Sequence, residues 1–132
     1  MNKYRDKSDF EINKAVAEKV GIIRHLYLAE FLGEVIWDVT SNDNYNGFIS
    51  KKGLAFDPCN NPADAMPIII ENKITVAYDK LYETWCAHVG SVMGDGDWDY
   101  SIEPAINYCD DNYYRAAMIC FLMMKDAENE KV

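Results

Sequence analysis

The sequence predicts an α+β domain with an N-terminal helix, a small antiparallel sheet, a short kinked middle helix and a buried C-terminal helix. Apolar residues recur at helical spacing between residues 12 and 20, which indicates the first helix. Short segments rich in β-branched and aromatic residues lie between turn signals, and an apolar run spans residues 116–124. A chain of 132 residues can bury one core, so residues 1–132 are predicted to form a single domain.

The first helix begins at a capping box. Ser8 and Glu11 have the S-x-x-E spacing of this motif. In it, the serine side chain bonds the backbone N–H of the glutamate, and the glutamate side chain bonds the backbone N–H of the serine. Ile12 and Val16 then share one face, and Gly21 is a typical helix terminator. These features predict a helix over residues 9–20.

The segment that follows is ambiguous between strand and helix. Alternating and β-branched residues predict two strands around a turn at Leu32–Glu34, although residues 25–32 are also compatible with a helix. Turn-forming residues predict a loop over 41–47, and residues 48–50 are predicted to return as a short strand.

The stretch CNNPADAMPIIIENKI, residues 59–74, combines several helix signals. Asn61 is a good N-cap, Pro62 suits the first helical position, and Asp64 suits the positive end of the helix dipole. Pro67 removes a backbone hydrogen bond and is expected to kink or restart the helix. Asn72 is expected to adopt a left-handed conformation and end it.

The second half predicts a hairpin and the last helix. Residues 74–78 and 83–89 are predicted to pair as strands, and residues 94–101 are predicted to form a loop. A final helix is predicted from a cap at Asp111 or Asn112 to about residue 124, followed by a fraying charged tail. Its apolar surface covers more than one face, so it is either central or partly in a homodimer contact, and the chain is expected to be a monomer or a homodimer.

Charge and cysteine usage restrict the partners. The chain has 13 basic and 22 acidic residues and a net charge of −9, which disfavours direct binding to nucleic acid or to an anionic membrane. The N-terminus is charged, and no apolar run is long enough to span a membrane. The four cysteines are scattered along the chain, so we expect reduced thiols, no zinc site and a cytoplasmic location.

No motif indicates catalysis or a cofactor. Asp95, Asp97 and Asp99 have the spacing of a calcium loop, but Tyr100 stands where glycine is needed and Ile106 stands where the bidentate glutamate is needed. The two histidines lie among apolar residues, and no serine or cysteine occupies a nucleophile motif. We therefore predict a non-enzymatic protein without a metal or cofactor.

One set of polar residues is left as a candidate ligand- or partner-binding site. Asn60 has no helix-capping role, and the helix start next to it gathers amides, free backbone N–H donors and a carboxylate. The residues alone favour a different role, in which these amides tie neighbouring loops together, because most side-chain hydrogen bonds are made to the protein's own backbone. The candidate site consists of Asn60, Asn61, Asp64, Asn72 and Arg115.

Three blocks of sequence resemble one family. NNPADAMPII (residues 60–69), SDFEINKAVA (8–17) and RAAMICFLMM (115–124) are similar to the NinX-like family of small phage proteins, a domain of unknown function. Met66 stands where that family usually has Trp, and residues 112–114 depart from its Asn-Pro-Leu. The resemblance implies a phage-encoded accessory protein in the cytoplasm of an infected bacterial cell, and it supplies no catalytic residues.

Three functions are compatible with these features. The leading hypothesis is a non-enzymatic accessory protein that binds a host factor, for example one of host defence. The first alternative is a small-molecule, nucleotide-type binder, in which Arg115 meets a phosphate and Trp85, Tyr113 or Tyr114 stacks on a base. The second alternative is an acidic nucleic-acid mimic. Its acidic residues are Asp95, Asp97, Asp99, Glu103, Asp110 and Asp111.

Overall fold

The described residues form three α-helices and seven short strands. The computed structural model describes residues 3–38, 53–90, 93–94, 97–98 and 106–130. In chain order the elements are α1 (Asp9–Val20), β1 (Leu26–Ala29), β2 (Glu34–Trp37), α2 (Pro62–Glu71), β3 (Thr75–Asp79), β4 (Thr84–Val89), β5 (Met93–Gly94), β6 (Asp97–Trp98), β7 (Ile106–Asp110) and α3 (Tyr113–Glu130). The predicted α+β class is confirmed.

Helix α1 has the predicted bounds and the predicted caps. The Ser8 hydroxyl accepts a hydrogen bond from the Glu11 backbone N–H at 3.2 Å. Gly21 ends the helix with φ at 90°, a left-handed conformation that glycine adopts without steric cost. Ile12 and Val16 are fully buried, so the predicted apolar face is the face that packs on the core.

Strands β1 and β2 form the predicted hairpin. They pair antiparallel from Leu26 opposite Trp37 to Ala29 opposite Glu34, which leaves a four-residue loop. The alternative of a helix over residues 25–32 is wrong, because only a single 3₁₀ turn, Ile23–His25, precedes the strand. The loop predicted over 41–47 and the strand predicted over 48–50 lie outside the described residues.

Helix α2 continues through Pro67, so the predicted restart at this residue is wrong. Pro67 cannot donate to the carbonyl of Ala63, but both residues are exposed and water can bond that carbonyl. Asn61 caps the helix and Pro62 opens it, as predicted. Asn72 was expected to be left-handed, but it has φ at −95°, and Lys73 adopts the left-handed conformation with φ at 56°.

A three-stranded antiparallel sheet has the order β3-β4-β7. One face carries Ala87 and Tyr108, which join the core, and α3 packs against both β4 and β7. The hairpin of β3 and β4 confirms the predicted pairing. The loop expected over 94–101 is corrected in part, since Met93–Gly94 and Asp97–Trp98 pair as short strands.

Helix α3 is the centre of the core. Every residue from Ala116 to Leu122 is buried, with exposures of 0–2%. The helix contacts the three-stranded sheet as well as α1 and α2. It extends to Glu130, so the predicted helix end near residue 124 is six residues too early. The Tyr4 hydroxyl donates a hydrogen bond to Asp126, which holds this end of the helix against the N-terminal segment.

The cysteines are not all reduced thiols, so that prediction is wrong. Cys86 on β4 and Cys109 on β7 are paired across the sheet with Cα atoms 4.1 Å apart, and they form a disulfide. Strand pairing brings them together although 23 residues separate them. Cys59 and Cys120 are free and buried. Burial raises the pKa of the Cys59 thiol and raises the pKa of Cys120 to about 12.

Reduction of the Cys86–Cys109 disulfide should lower the free energy of unfolding by about 3 kcal/mol, the usual chain-entropy effect for a loop of this size. Urea unfolding with and without a dithiol reductant measures the difference. A Cys86→Ser, Cys109→Ser double variant is the control and should not respond to the reductant. An unchanged midpoint for the reduced wild-type chain would contradict the prediction.

His88 should make stability depend on pH, because burial lowers its pKa from the ordinary 6.5. The unfolded chain then binds a proton more readily than the folded chain, so stability is retained above about pH 6.5 and decreases as the pH falls towards the lowered value. Urea midpoints at about pH 7.5 and about pH 5.5 measure the change. His88→Asn should reduce it, and an identical change in that variant would refute the assignment.

Candidate functional site

The N-termini of the three helices meet at one polar cluster. Asn60, just before α2, donates its side-chain amide to Asp9 Oδ2 at 3.0 Å, and Asp9 is the first residue of α1. The Asn60 carbonyl accepts from the Asn112 amide at 3.0 Å, and Asn112 immediately precedes α3. One side chain therefore links all three helix starts. We term the cluster the polar junction; it comprises Asp9, Asn13, Asp57, Asn60, Asp64, Asp110, Asn112 and Arg115.

Arg115 is the cation of the polar junction, and its side chain is only 14% exposed. Its Nη1 donates to Asp9 at 2.6 Å, and its Nε lies 3.3 Å from Asp110 Oδ2. Its Nη2 donates to the backbone carbonyl of Lys7 at 2.6 Å and to that of Arg5 at 3.4 Å. Burial by itself would lower the pKa of Arg115, but the hydrogen bond and the charge of Asp9 raise it overall. The guanidinium thus fastens the N-terminal segment to α3.

Asp57 and Asn13 form the inner part of the junction. Asn13 is 4% exposed; its amide donates to Asp57 Oδ1 at 2.8 Å, and its carbonyl accepts from the Cys59 backbone at 3.2 Å. The Asn60 amide lies 3.2 Å from both Asp57 carboxylate oxygens. The Asp57 backbone N–H donates to Asp64 at 2.9 Å. These bonds satisfy a buried polar side chain, which would otherwise destabilise the core.

Asn112 is the N-cap of α3, one of the two caps that the sequence predicts. Its carbonyl oxygen accepts from the backbone N–H groups of Tyr114 at 2.9 Å and Arg115 at 3.2 Å. Its own backbone N–H donates to Asp110 at 2.9 Å. Asp110 therefore fixes both the turn into α3 and the guanidinium of Arg115, which makes it the link between β7 and the polar junction.

The structure brings together only part of the candidate site. Asn60, Asp64 and Arg115 lie in the polar junction, and Asn61 lies beside it as the cap of α2, accepting from the Ala63 backbone at 3.0 Å. Asn72 lies at the other end of α2, and the ten residues of this helix place it about 15 Å from the helix start. Its amide donates to the Ile68 carbonyl at 2.8 Å. These internal bonds support the loop-tying alternative, and ligand binding by the set stays a prediction.

Sequence reasoning missed the residues that complete the junction. Asp9 and Asp57 were not singled out, because their partners lie far away in the chain: Asp9 is 106 residues from Arg115. One local signal does exist for Asn13. It falls on α1 beside Ile12 and three residues before Val16, so a polar side chain on the buried face needs partners.

The junction is a cluster of internally paired charges whose outer members, Asn60 and Asp9, reach solvent. Four carboxylates, those of Asp9, Asp57, Asp64 and Asp110, lie at helix starts, where the helix dipole favours negative charge. Because Arg115 already pairs with two of them, an incoming phosphate would meet mainly carboxylates. In the described part of the chain, no group of three or more His, Cys, Asp or Glu residues is positioned to hold a metal ion.

The aromatic residues proposed for base stacking contact one another. The Trp85 ring packs edge-on against Tyr113 with centroids 5.2 Å apart, and Tyr113 packs likewise against Tyr114 at 5.0 Å. Tyr78 contacts the other side of Trp85 at 5.1 Å. The rings therefore form a packed row between the sheet and the start of α3, a geometry that stabilises aromatic pairs.

The acidic segment of the mimic hypothesis is only partly described. Asp95, Asp99 and Glu103 lie outside the described residues. Asp110 is paired with Arg115, and Asp111 is exposed. None of the helices within the described ranges is long and apolar enough to cross a membrane.

Asn60 and Asn112 should be energetically coupled. Asn60→Ala removes the link between the helix starts, and Asn112→Ala removes that link together with the cap of α3, so each should lower the free energy of unfolding by about 1–2 kcal/mol. A double-mutant cycle in urea should give a coupling energy of at least about 0.5 kcal/mol. Asn61→Ala is the control, since it removes only a local cap, and it should add to Asn112→Ala without coupling. Simple additivity of Asn60→Ala and Asn112→Ala would show that the link contributes nothing.

Comparison with known proteins identifies the family. A family model described as Bacteriophage P22, NinX matches residues 3–125, a span that contains the whole polar junction. No curated protein and no solved structure is significantly similar to the chain. Since the match covers far more than half of the 132 residues, the chain belongs to the bacteriophage P22 NinX family, as its three sequence blocks predict.

Proposed function

We propose that this phage protein is a non-enzymatic accessory factor that binds a host protein in the cytoplasm of the infected cell. The observation that carries the proposal is the exposure of apolar side chains on two hairpin loops. Phe31 and Leu32 on the β1–β2 loop are 89% and 56% exposed. Leu81 and Tyr82 on the β3–β4 loop are 81% and 74% exposed. Neighbouring exposed apolar residues are typical of protein-binding surfaces.

Each loop is held in a defined shape. Both have four residues, and the last one, Gly33 or Glu83, is left-handed with φ at 67° or 53°. In the first loop, the Gly33 N–H donates to the Glu30 carbonyl at 3.1 Å. In the second, Asp79 Oδ1 accepts hydrogen bonds from the backbone N–H groups of Leu81 at 2.9 Å and Tyr82 at 3.1 Å. A loop that is ordered before binding loses less conformational entropy on association.

The charges around the loops favour a protein partner with a basic rim. Glu30 and Glu34 flank the first apolar pair, and the second pair lies between Asp79 and Glu83 with one cation, Lys80, next to Leu81. Together with the net charge of −9, they oppose approach to nucleic acid or anionic lipid. A partner that combines an apolar cleft with surrounding Lys or Arg side chains matches both properties.

The two alternatives remain predictions. A nucleotide-type ligand at Arg115 would have to displace Asp9 or Asp110 from the guanidinium, and a shift of the melting temperature in a nucleotide panel tests it. Acidic mimicry rests largely on residues 95–103, which are mostly outside the described ranges. Salt-sensitive association with a DNA-binding host protein tests that hypothesis.

Photo-crosslinking during infection tests the main proposal. A photoreactive amino acid is placed at position 31 or position 81 of the full chain, and at Lys19, an exposed polar position of α1, as the control. We expect one host protein to be linked from a loop position and not from position 19. Purified partner should then bind Phe31→Ser or Leu81→Ser at least about tenfold more weakly than wild type.

Ile70→Ser is the matched control for affinity, because Ile70 is also an exposed apolar residue, at 69%, but lies on α2. It should leave the Kd unchanged. Equal crosslinking from positions 31, 81 and 19 would refute the proposal that the two hairpin loops bind the partner. A Kd that neither Phe31→Ser nor Leu81→Ser alters would refute it as well.

A further inference from the structure

We propose that the Cys86–Cys109 pair is a site of reversible thiol–disulfide exchange with low-molecular-weight thiols, and that Cys109 is the sulfur they attack. This chemistry is independent of the host-protein binding proposed above. It rests on the position of the two cysteines in the sheet, on their unequal exposure and on the contrast with the other two thiols.

The disulfide lies on the sheet face that points away from α3. Residues directly opposite in a sheet share a face, so Cys86 and Cys109 lie with Ala77, whereas Ala87 and Tyr108 are on the face that joins the core. Cys109 is exposed and Cys86 is half-buried. Because Cys109 is the more exposed of the two residues, we assign it as the sulfur that an incoming thiolate attacks, with Cys86 as the leaving group.

The other cysteines have no comparable access. Cys59 and Cys120 are both 0% exposed, and burial raises the pKa of each thiol, which disfavours the reactive thiolate. Cys59 and Cys120 are thus less accessible to a solvent thiol than Cys109 is. We therefore expect a small thiol to react at the disulfide and not at the two buried thiols.

The exchange is balanced in two steps. The thiolate of a small thiol such as glutathione attacks Cys109 Sγ, the Cys86–Cys109 bond breaks, and Cys86 leaves as a thiolate that takes a proton from water. A second glutathione thiolate attacks the glutathione sulfur of the mixed disulfide and releases Cys109, which is likewise protonated. The protein gains two electrons and two protons, and two glutathione molecules become one glutathione disulfide. Oxidation follows the same steps in reverse.

The exchange acts on the strand that leads into the polar junction. Asp110 follows Cys109 directly and bonds both Arg115 Nε, at 3.3 Å, and the Asn112 backbone, at 2.9 Å. The disulfide ties β7 to the middle strand of the sheet one residue before these contacts. Opening it removes the covalent tie between β7 and β4, so the position of Asp110 then depends on strand pairing, on packing against α3 and on its own bonds to Asn112 and Arg115.

Differential alkylation of the native full chain tests the proposal. The protein is incubated with reduced glutathione, alkylated without denaturant and mapped by mass spectrometry. We expect labelling at Cys86 and Cys109 and none at Cys59 or Cys120. Opening that requires denaturant, or equal labelling of all four cysteines, would overturn the proposal, since the latter means that the chain unfolds as a whole.

Single variants test which sulfur is attacked. After treatment with glutathione disulfide, Cys86→Ser should form the mixed disulfide at Cys109 on the order of tenfold faster than Cys109→Ser forms it at Cys86. Melting temperatures equal to that of the reduced wild type show that both variants are folded. Equal rates, or faster reaction at Cys86, would overturn the assignment of Cys109.

Discussion

The arrangement of the whole domain depends on bringing three helix N-termini to one place. Each helix start carries backbone N–H groups without an intrahelical partner and a partial positive charge. Helix α3 packs against both α1 and α2. The Asn60 side chain joins the three helix starts, since its amide donates to Asp9 and its carbonyl accepts from Asn112. Arg115 pairs with two of the four carboxylates gathered there, those of Asp9 and Asp110.

The molecule has a partly buried polar cluster at the helix starts and exposed apolar side chains on two loops. A dense set of amides and carboxylates lies between the helices, and Asn13 at its base is almost completely buried. Large apolar side chains, with Phe31 and Leu81 the most exposed, stand on the loops. Hydrogen bonds are directional, so the junction favours one packing of the helices. The bonds around Asn60 are internal, whereas the proposed contacts with a partner lie on the exposed hairpin loops.

Local chemistry predicted much of this fold, and long-range pairing accounts for what the sequence did not reveal. Ser8, Asn61 and Asn112 cap helices through bonds to residues only two or three positions away, so their roles can be read from neighbours in the chain. By contrast, β7 alternates between half-buried and exposed residues without a strong apolar signal, and only its pairing reveals Cys109 as the partner of Cys86. The candidate site was half predicted for the same reason. Its amides were visible as residues without a local role, whereas their partners were not.

The contact between Tyr4 and Asp126 has a consequence for synthesis on the ribosome. It joins residues 122 positions apart, and the buried segment Ala116–Leu122 that fills the centre of the core lies near the same end of the chain. Neither α1 nor α2 can cover its apolar face until α3 has left the exit tunnel. Contacts of such long separation also make folding slow relative to helix formation. Until α3 is synthesised, the apolar faces of α1 and α2 stay exposed, and the surplus of acidic charge favours the solubility of that intermediate.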